Sequence, residues 1–287
     1  MYRIGIFGSE NSHATGFAEV FNGGDPDFAD IRVVAISGES PEDSKRISRD
    51  HGVQMIAASP ADMLGHIDAA MVISRNGALH LGYSRVFIEA GLPCFVDKPI
   101  ANDPEEALAL VNLARAKSVP LTGGSSLKLM DDVLSLKALR EQGGEDVKGG
   151  YLWAPLNMHN PYGDFYFYSA HLAEMCLEIF GMDPLSVDAF ENRDNVAAVV
   201  HYPRYDVQLH FLNGVYYYGG VLQLNDGPRM LTINADGGAK LEGLRFARML
   251  RTGEMPVSYR EMIKNVFVLR AIEDSYMSGK RQSIGDM

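Results

Sequence analysis

Residues 89–114 read EAGLPCFVDKPIANDPEEALALVNLA, and the order of residue types in this stretch decides the fold. Pro93–Val96 is a short apolar run that reads as a buried strand, and Asp97-Lys98-Pro99 ends it. Asp103 is then a plausible N-cap, and Glu105 and Glu106 suit the positive end of a helix dipole. A helix is expected over Pro104–Lys117. The same alternation runs outward from this block. Upstream, strands are expected at Tyr2–Phe7, Ile31–Ile36 and Ala69–Ile73, with helices at His13–Phe21, Pro41–His51 and Leu79–Ala90. Downstream, a strand near Val119–Thr122 closes the series. Strands and helices alternating at this spacing form βαβ units and a parallel sheet.

The pattern changes after Gly123-Gly124. A helix is expected over Leu127–Glu141, then a strand near Tyr151, an aromatic loop (MHNPYGDFYFY) and a helix over Ser169–Phe180. Four strands follow, at Ala197–Tyr202, Tyr205–Leu212, Val215–Leu224 and Arg229–Asn234. Asn213-Gly214 and Asp226-Gly227 read as hairpin turns between them. Consecutive strands joined by tight turns predict a mostly antiparallel sheet, and Tyr259–Ser278 a last helix. The division expected is a Rossmann α/β domain over 1–122 and an α+β domain with an open sheet over 123–287.

Charge narrows the partners. The 287 residues carry 26 basic and 37 acidic side chains, a formal net charge of −11, which repels nucleic acid and anionic membranes. A phosphate-bearing cofactor remains compatible, because backbone N–H groups and helix ends hold it locally. The two cysteines, Cys94 and Cys176, sit in apolar runs and read as buried thiols of a reducing, cytoplasmic compartment. No leader pattern and no membrane-spanning apolar run is visible.

The opening IGIFGSENSHATGF stands after a strand and before a helix, where a dinucleotide loop belongs. Gly8 answers the need for close backbone approach. Glu10 or Asn11, then His13 or Ala14, stand where further glycines are usual, and Ser12 reads as the N-cap. After the second strand, Gly38 holds the place of an acid for the ribose 2′-hydroxyl. Ser37, Ser40, Lys45 and Arg46 could instead receive a 2′-phosphate, so NAD and NADP both stay open. Lys98, at the end of a parallel strand, is expected to face the ligand crevice, where its ammonium could polarise a carbonyl or hold a hydroxyl.

The motifs RIGIFG, IDAAMVISRNGALH, the block 89–114 and the closing SYREMIKNVFVLRAIEDSYMSGK resemble the glucose-fructose oxidoreductase / inositol dehydrogenase family (Gfo/Idh/MocA) over nearly the whole chain. The resemblance implies hydride transfer between NAD or NADP and a hydroxyl of a small polyol or sugar. It implies that Lys98 lies beside the substrate hydroxyl and that His171, in SAHLAEM, is the catalytic acid/base. Gly8, Ser9, Glu10, Asn11, Ser37, Ser74, Asn76, His80, Asp97 and Lys98 are the expected cofactor contacts, and His159, Asp164, Tyr168 and Glu174 the expected substrate contacts. The chain departs from the family at Phe167, where an aspartate is common. Asp164, Tyr166, Tyr168 or Glu174 are the candidates to compensate. Two other readings stay open: a retained NAD used for transient oxidation, and a ligand sensor without catalysis. The spacing of His159, Asp164, His171 and Glu174 matches no zinc pattern, and no metal is expected. An open sheet face needs a cover, so a homodimer or homotetramer through the C-terminal sheet is expected.

Overall fold

The run YRIGIF forms strand β1 (Tyr2–Phe7), and its last four residues are buried. The computed structural model describes residues 1–287, and its first unit comprises Met1–Gly124 together with Ala239–Met262. The other strands here are β2 (Ile31–Ser37), β3 (Met55–Ile56), β4 (Ala69–Val72), β5 (Cys94–Asp97) and β6 (Leu121–Gly124). They pair in the order β3-β2-β1-β4-β5-β6, all parallel. The crossings are made by α1 (Ser12–Asn22), α2 (Pro41–His51), α3 (His80–Glu89) and α4 (Pro104–Lys117). Since β2 and β4 lie on opposite sides of β1, strand order reverses there, and a crevice opens at the carboxyl ends of β1 and β4.

Strands β4 and β5 are buried at every residue, as parallel strands covered on both faces must be. Local signals hold the helices in place. Asp103 caps α4 by accepting from Glu105 N at 2.7 Å. At α1 the cap is Asn11, whose side chain accepts from His13 N. Ser12, expected as the cap, is instead the first helical residue.

No element was expected between Asn234 and Tyr259, yet α7 (Gly238–Thr252) lies there. Its Phe246, Met249 and Leu250 follow helical spacing and join the core of Ile4, Ile6, Phe17, Phe21 and Phe95. The Phe246 and Phe95 rings meet edge-on at 6.0 Å. Gly237, Gly238 and Gly243 disguise the pattern in the sequence. Residues 239–262 thus return to the first unit, an excursion absent from a linear division into 1–122 and 123–287.

The second unit comprises Ser125–Gly238 and Ile263–Met287. Its strands are β7 (Val147–Leu156), β8 (Ser186–Asn192), β9 (Asn195–His201), β10 (Asp206–Asn213), β11 (Tyr218–Leu224), β12 (Gly227–Ile233) and β13 (Gln282–Ser283). The sheet order is β12-β11-β7-β10-β9-β8-β13. All neighbours are antiparallel except β7 and β10. Asn213-Gly214 is therefore not a hairpin turn: β10 pairs with β7 and β9, and the chain steps past the end of β7 to reach β11. The β11–β12 hairpin turns on Asn225-Asp226, one residue before the expected pair, with Leu224 opposite Gly227. Strand β8 escaped the sequence reading because its hairpin to β9 turns without glycine. Arg193 and Asp194 themselves adopt φ of 52° and 63°, the left-handed pair of a type I′ turn.

Helices α5 (Asp131–Gly143), α6 (Tyr166–Phe180) and the later part of α8 (Tyr259–Ser278) belong to this unit. Helix α6 packs on β7 and β10 and is buried along almost its whole length. Both cysteines are free and buried, and burial pushes the Cys176 thiol up to about 12. No helix is long and apolar enough to cross a membrane.

Phe180 is buried against Gly150, where a Cβ would lie 2.2 Å from its ring. Phe180→Ala is expected to destabilise the second unit by about 3–5 kcal/mol. Urea unfolding followed by the fluorescence of Trp153, the single tryptophan, measures this; an unchanged midpoint would remove Phe180 from the core.

Candidate functional site

Two clusters of polar side chains are buried, one in each unit. In the first, the turn after β1 is held against the ends of β2 and β4. Gly8 N and Ser9 N both donate to Ser37 O, at 2.9 and 3.1 Å. Gly8 has φ +120°, and a Cβ there would lie 2.5 Å from the Ile73 carbonyl carbon and from Ser74 N. Only glycine lets the strands approach this closely. Ser37 and Ser74 are buried, and Ser74 Oγ donates to Asn76 O at 3.3 Å. Asn76 Oδ1 accepts from Ala78 N at 3.1 Å and from Asn102 Nδ2 at 3.3 Å.

Asn11 joins three segments. Beyond capping α1, its amide donates to Ile73 O at 2.9 Å and to Asp97 Oδ2 at 3.2 Å. The Asp97 carboxylate is fully buried, with the His13 ring 3.1 Å from Oδ1. Burial works to raise the Asp97 carboxyl, but the His13 ring, by charge and hydrogen bond, and the Lys98 ammonium hold it below the usual carboxylate range. Lys98 follows at the end of β5, only 5% exposed. The turn is completed by His80, whose Nδ1 and Nε2 lie 2.8 Å from Pro99 O and Ser74 O. Burial pushes the His80 ring below its ordinary value. A fully buried His80 clamps the turns after β4 and β5 together; it offers no surface to a ligand.

Two of the groups offered for a 2′-phosphate, Ser40 and Arg46, are engaged locally. Ser40 Oγ accepts from Asp43 N at 3.2 Å as the cap of α2, and Arg46 holds Asp43 at 2.8 Å.

In the second unit, His171 projects from α6 with Nδ1 2.6 Å from Ser125 Oγ, which also accepts from Leu127 N at 3.2 Å. When the ring proton sits on Nδ1 and is donated to Ser125, Nε2 carries the lone pair of a base. Tyr168 and Tyr218 flank the ring, with centroids 6.4 and 5.8 Å away. One helical turn on, Glu174 accepts from Ser125 N (3.0 Å), Lys128 Nζ (2.6 Å) and Asn265 Nδ2 (3.0 Å). Glu174 is thus an anchor for Ser125 and does not itself touch the histidine. Tyr166 is bound to Glu273 at 2.6 Å. His159 is exposed and pairs with Asp194 at 3.1 Å. Asp164 accepts from Asn160 N at 3.1 Å and shapes its own loop. Ser125, a hydrogen-bond partner of the His171 ring, was missed by the sequence reading, along with Lys128, Asn265, His13 and Tyr218. A serine 46 positions before the histidine carries no local pattern by which to find it.

Asp97→Asn is expected to lower stability at neutral pH. Because the folded carboxyl titrates below its unfolded value of about 3.9, its contribution is present above that pH and lost as pH falls through the folded value. The gap between wild type and variant should therefore narrow in acid, below about pH 4; thermal melts from acid to about pH 7 measure it. A constant gap would mean that the charge is not the stabilising feature.

Residues 2–125 match the model of the oxidoreductase family with an NAD-binding Rossmann fold. Over 247 residues the chain is 26% identical to scyllo-inositol 2-dehydrogenase (NADP(+)) IolW of Bacillus subtilis (strain 168), covering 79% of this chain and 65% of that protein. The matched region thus spans less than two thirds of that relative. Among solved structures, myo-inositol 2-dehydrogenase from Lactobacillus plantarum superposes with a TM-score of 0.85 at 14% identity, covering 99% of each chain. Scyllo-inositol dehydrogenase from Lactobacillus casei, with NAD(H) and scyllo-inositol bound, superposes with a TM-score of 0.82 at 17% identity, again over 99% of each. These likenesses establish the shared fold.

Proposed function

We propose, from the match of residues 2–125 to the oxidoreductase family with an NAD-binding Rossmann fold, that this chain is a member of it and transfers a hydride between NAD or NADP and a hydroxyl or carbonyl of a small polyol or sugar. The inositols acted on by its relatives are the first substrates to try. The reading rests most on one observation: a buried histidine on α6 is pinned at Nδ1 by Ser125 and walled by Tyr168 and Tyr218. Packing alone gives no reason to hold an imidazole in one orientation with a buried Ser125–Glu174–Lys128 chain behind it.

The first unit suits a dinucleotide. Gly8 makes a turn too close to β4 for any side chain, at the N-terminus of an 11-residue helix, where a pyrophosphate is favoured. Gly8, Ser9, Glu10, Asn11, Ser37, Ser74 and Asn76 would hold it, with Asp97 and His80 fixing the surrounding turns. When bound, the nicotinamide supplies the hydride acceptor or donor. Lys98 orients the substrate oxygen and steadies negative charge on it. His171 takes the hydroxyl proton in oxidation and returns it in reduction, and Ser125 keeps the ring aligned. Glu174, neutralised by Lys128, keeps Ser125 in place.

In this reading Met1–Gly124 with Ala239–Met262 acts as the cofactor unit, and Ser125–Gly238 with Ile263–Met287 as the substrate and oligomerisation unit. Tyr151, Trp153, Leu212, Tyr217, Tyr218 and Thr232 line a shallow concavity of about 560 Å³, and Phe190 and Met230 are exposed. This apolar surface supports a homodimer or homotetramer. Two buried free thiols agree with a cytoplasmic setting.

The test begins with calorimetric titration of the four nicotinamide nucleotides and a screen of inositols and sugars for turnover. His171→Ala is expected to lower kcat by about 10²–10⁴, and Lys98→Ala to lower kcat far more than it weakens nucleotide binding. Ser125→Ala should lower kcat and leave nucleotide Kd unchanged. Normal turnover in both His171→Ala and Lys98→Ala would refute the assigned chemistry, and the absence of nucleotide binding would refute the reading as a whole.

A further inference from the structure

We propose that Glu10, in the turn after β1, supplies the carboxylate that receives the adenosine ribose hydroxyl of the dinucleotide, and so selects NAD over NADP. The proposal rests on the dinucleotide reading above. An acid projecting from the end of β2 is the ordinary device for this contact, and at that place the chain has Gly38. The structure gives the reason. A Cβ on Gly38 would lie 2.4 Å from Ser9 N, 2.5 Å from Ser9 Oγ and 2.6 Å from Glu10 Oε2. Backbone blocks this position, so no side chain can stand there. The Glu10 carboxylate, arriving from the neighbouring turn, lies over it instead.

The two oxygens of that carboxylate are unequal. Oε2 accepts from Glu39 N at 3.0 Å, which fixes the group over the end of β2. Oε1 is shut off from water and has no hydrogen-bond partner. A buried carboxylate oxygen left unpaired is unfavourable until a donor reaches it. A ribose 2′-hydroxyl is such a donor. A 2′-phosphate brings negative charge and acceptor oxygens to the same place.

The surroundings agree. Ser40 Oγ is spent on capping α2, Ser9 Oγ donates to Ser40 O at 3.1 Å, and Ser44 Oγ donates to Ser9 Oγ at 2.8 Å. Arg46 and Arg75 both act on Asp43, while Lys45 is exposed on the same helix. Tyr83, stacked near Phe7 at 4.1 Å, is pushed up by burial and then by the charges of Glu39 and Glu10. Glu10, Glu39 and Asp43 thus set three carboxylates along this edge, and the hydroxyls of Ser9, Ser40 and Ser44 are occupied.

The experiment is calorimetric titration of NAD⁺, NADP⁺ and 2′-deoxy-NAD⁺ into the wild type and Glu10→Gln. The wild type should bind NAD⁺ at least about tenfold more tightly than NADP⁺. Glu10→Gln should weaken NAD⁺ by about ten- to hundredfold, the range of a charged hydrogen bond, and leave NADP⁺ unchanged or tighter. 2′-Deoxy-NAD⁺ should bind the wild type as weakly as NAD⁺ binds the variant, with little further loss in the variant; the wild-type arm does not depend on how the variant folds. A preference for NADP⁺ in the wild type, an NAD⁺/NADP⁺ ratio unmoved by Glu10→Gln, or full affinity for 2′-deoxy-NAD⁺ would overturn the role of Glu10 and leave the cofactor reading standing. Failure of every nucleotide to bind the wild type would overturn both.

Discussion

A single buried negative charge organises the working end of the first sheet. Asp97 has no access to water, and an uncompensated carboxylate there would be strongly unfavourable. Its compensation comes from Asn11, His13 and Lys98, residues of the turn after β1, of α1 and of the end of β5. Satisfying that charge therefore fixes where the glycine turn stands relative to the neighbouring strand ends. Asn11, by also binding Ile73 O, brings the end of β4 into the same arrangement. A binding edge that must hold a phosphate backbone gains from being set before the ligand arrives, since its ordering is then not charged against affinity.

The second unit repeats the device with different residues. Glu174 is buried and is answered by Lys128, Asn265 and the Ser125 amide. Its consequence lies one residue removed, in the orientation of Ser125 and through it of His171. Ion pairs of this kind add little net stability over an apolar core of the same volume. What they contribute is definition: one arrangement satisfies every donor and acceptor, and its competitors leave a buried group unmet.

Much of the architecture was legible in the chain. Continuous apolar runs ending in polar turns marked β1, β2, β4 and β5, and Asp103 with Glu105 and Glu106 marked the start of α4. Three features were illegible, each for a physical reason. Helix α7 has its apolar spacing interrupted by glycines. Strand β8 turns into β9 through Arg193 and Asp194, which adopt left-handed backbone without being glycine. Strand β7 lies between β10 and β11, and an alternating pattern states which face a residue occupies without stating its neighbour. Site residues divided in the same way. Lys98, His171 and Asp97 carry motif context, and Glu10 was expected at the cofactor, whereas Ser125 and the particular part proposed for Glu10 come only from contacts made in three dimensions. The vacancy at Gly38 read as a missing acid; the close approach of Ser9 and Glu10 turns it into a steric requirement.

Helix α7 gives the molecule an unusual order of assembly. The core around Phe95 is closed by Phe246, Met249 and Leu250, residues that leave the ribosome well after the strands β1, β2, β4 and β5 whose core they join. At about 5–20 residues per second, that delay lasts several seconds or more. Throughout it the nascent first sheet presents an open apolar flank, while the intervening polypeptide of the second unit is still being made. A chain released early, or a gene spliced after the sixth strand, would keep that flank exposed. The core of the first sheet is thus contiguous in space and discontinuous in synthesis, and its completion waits on a helix made after strands β7 to β12.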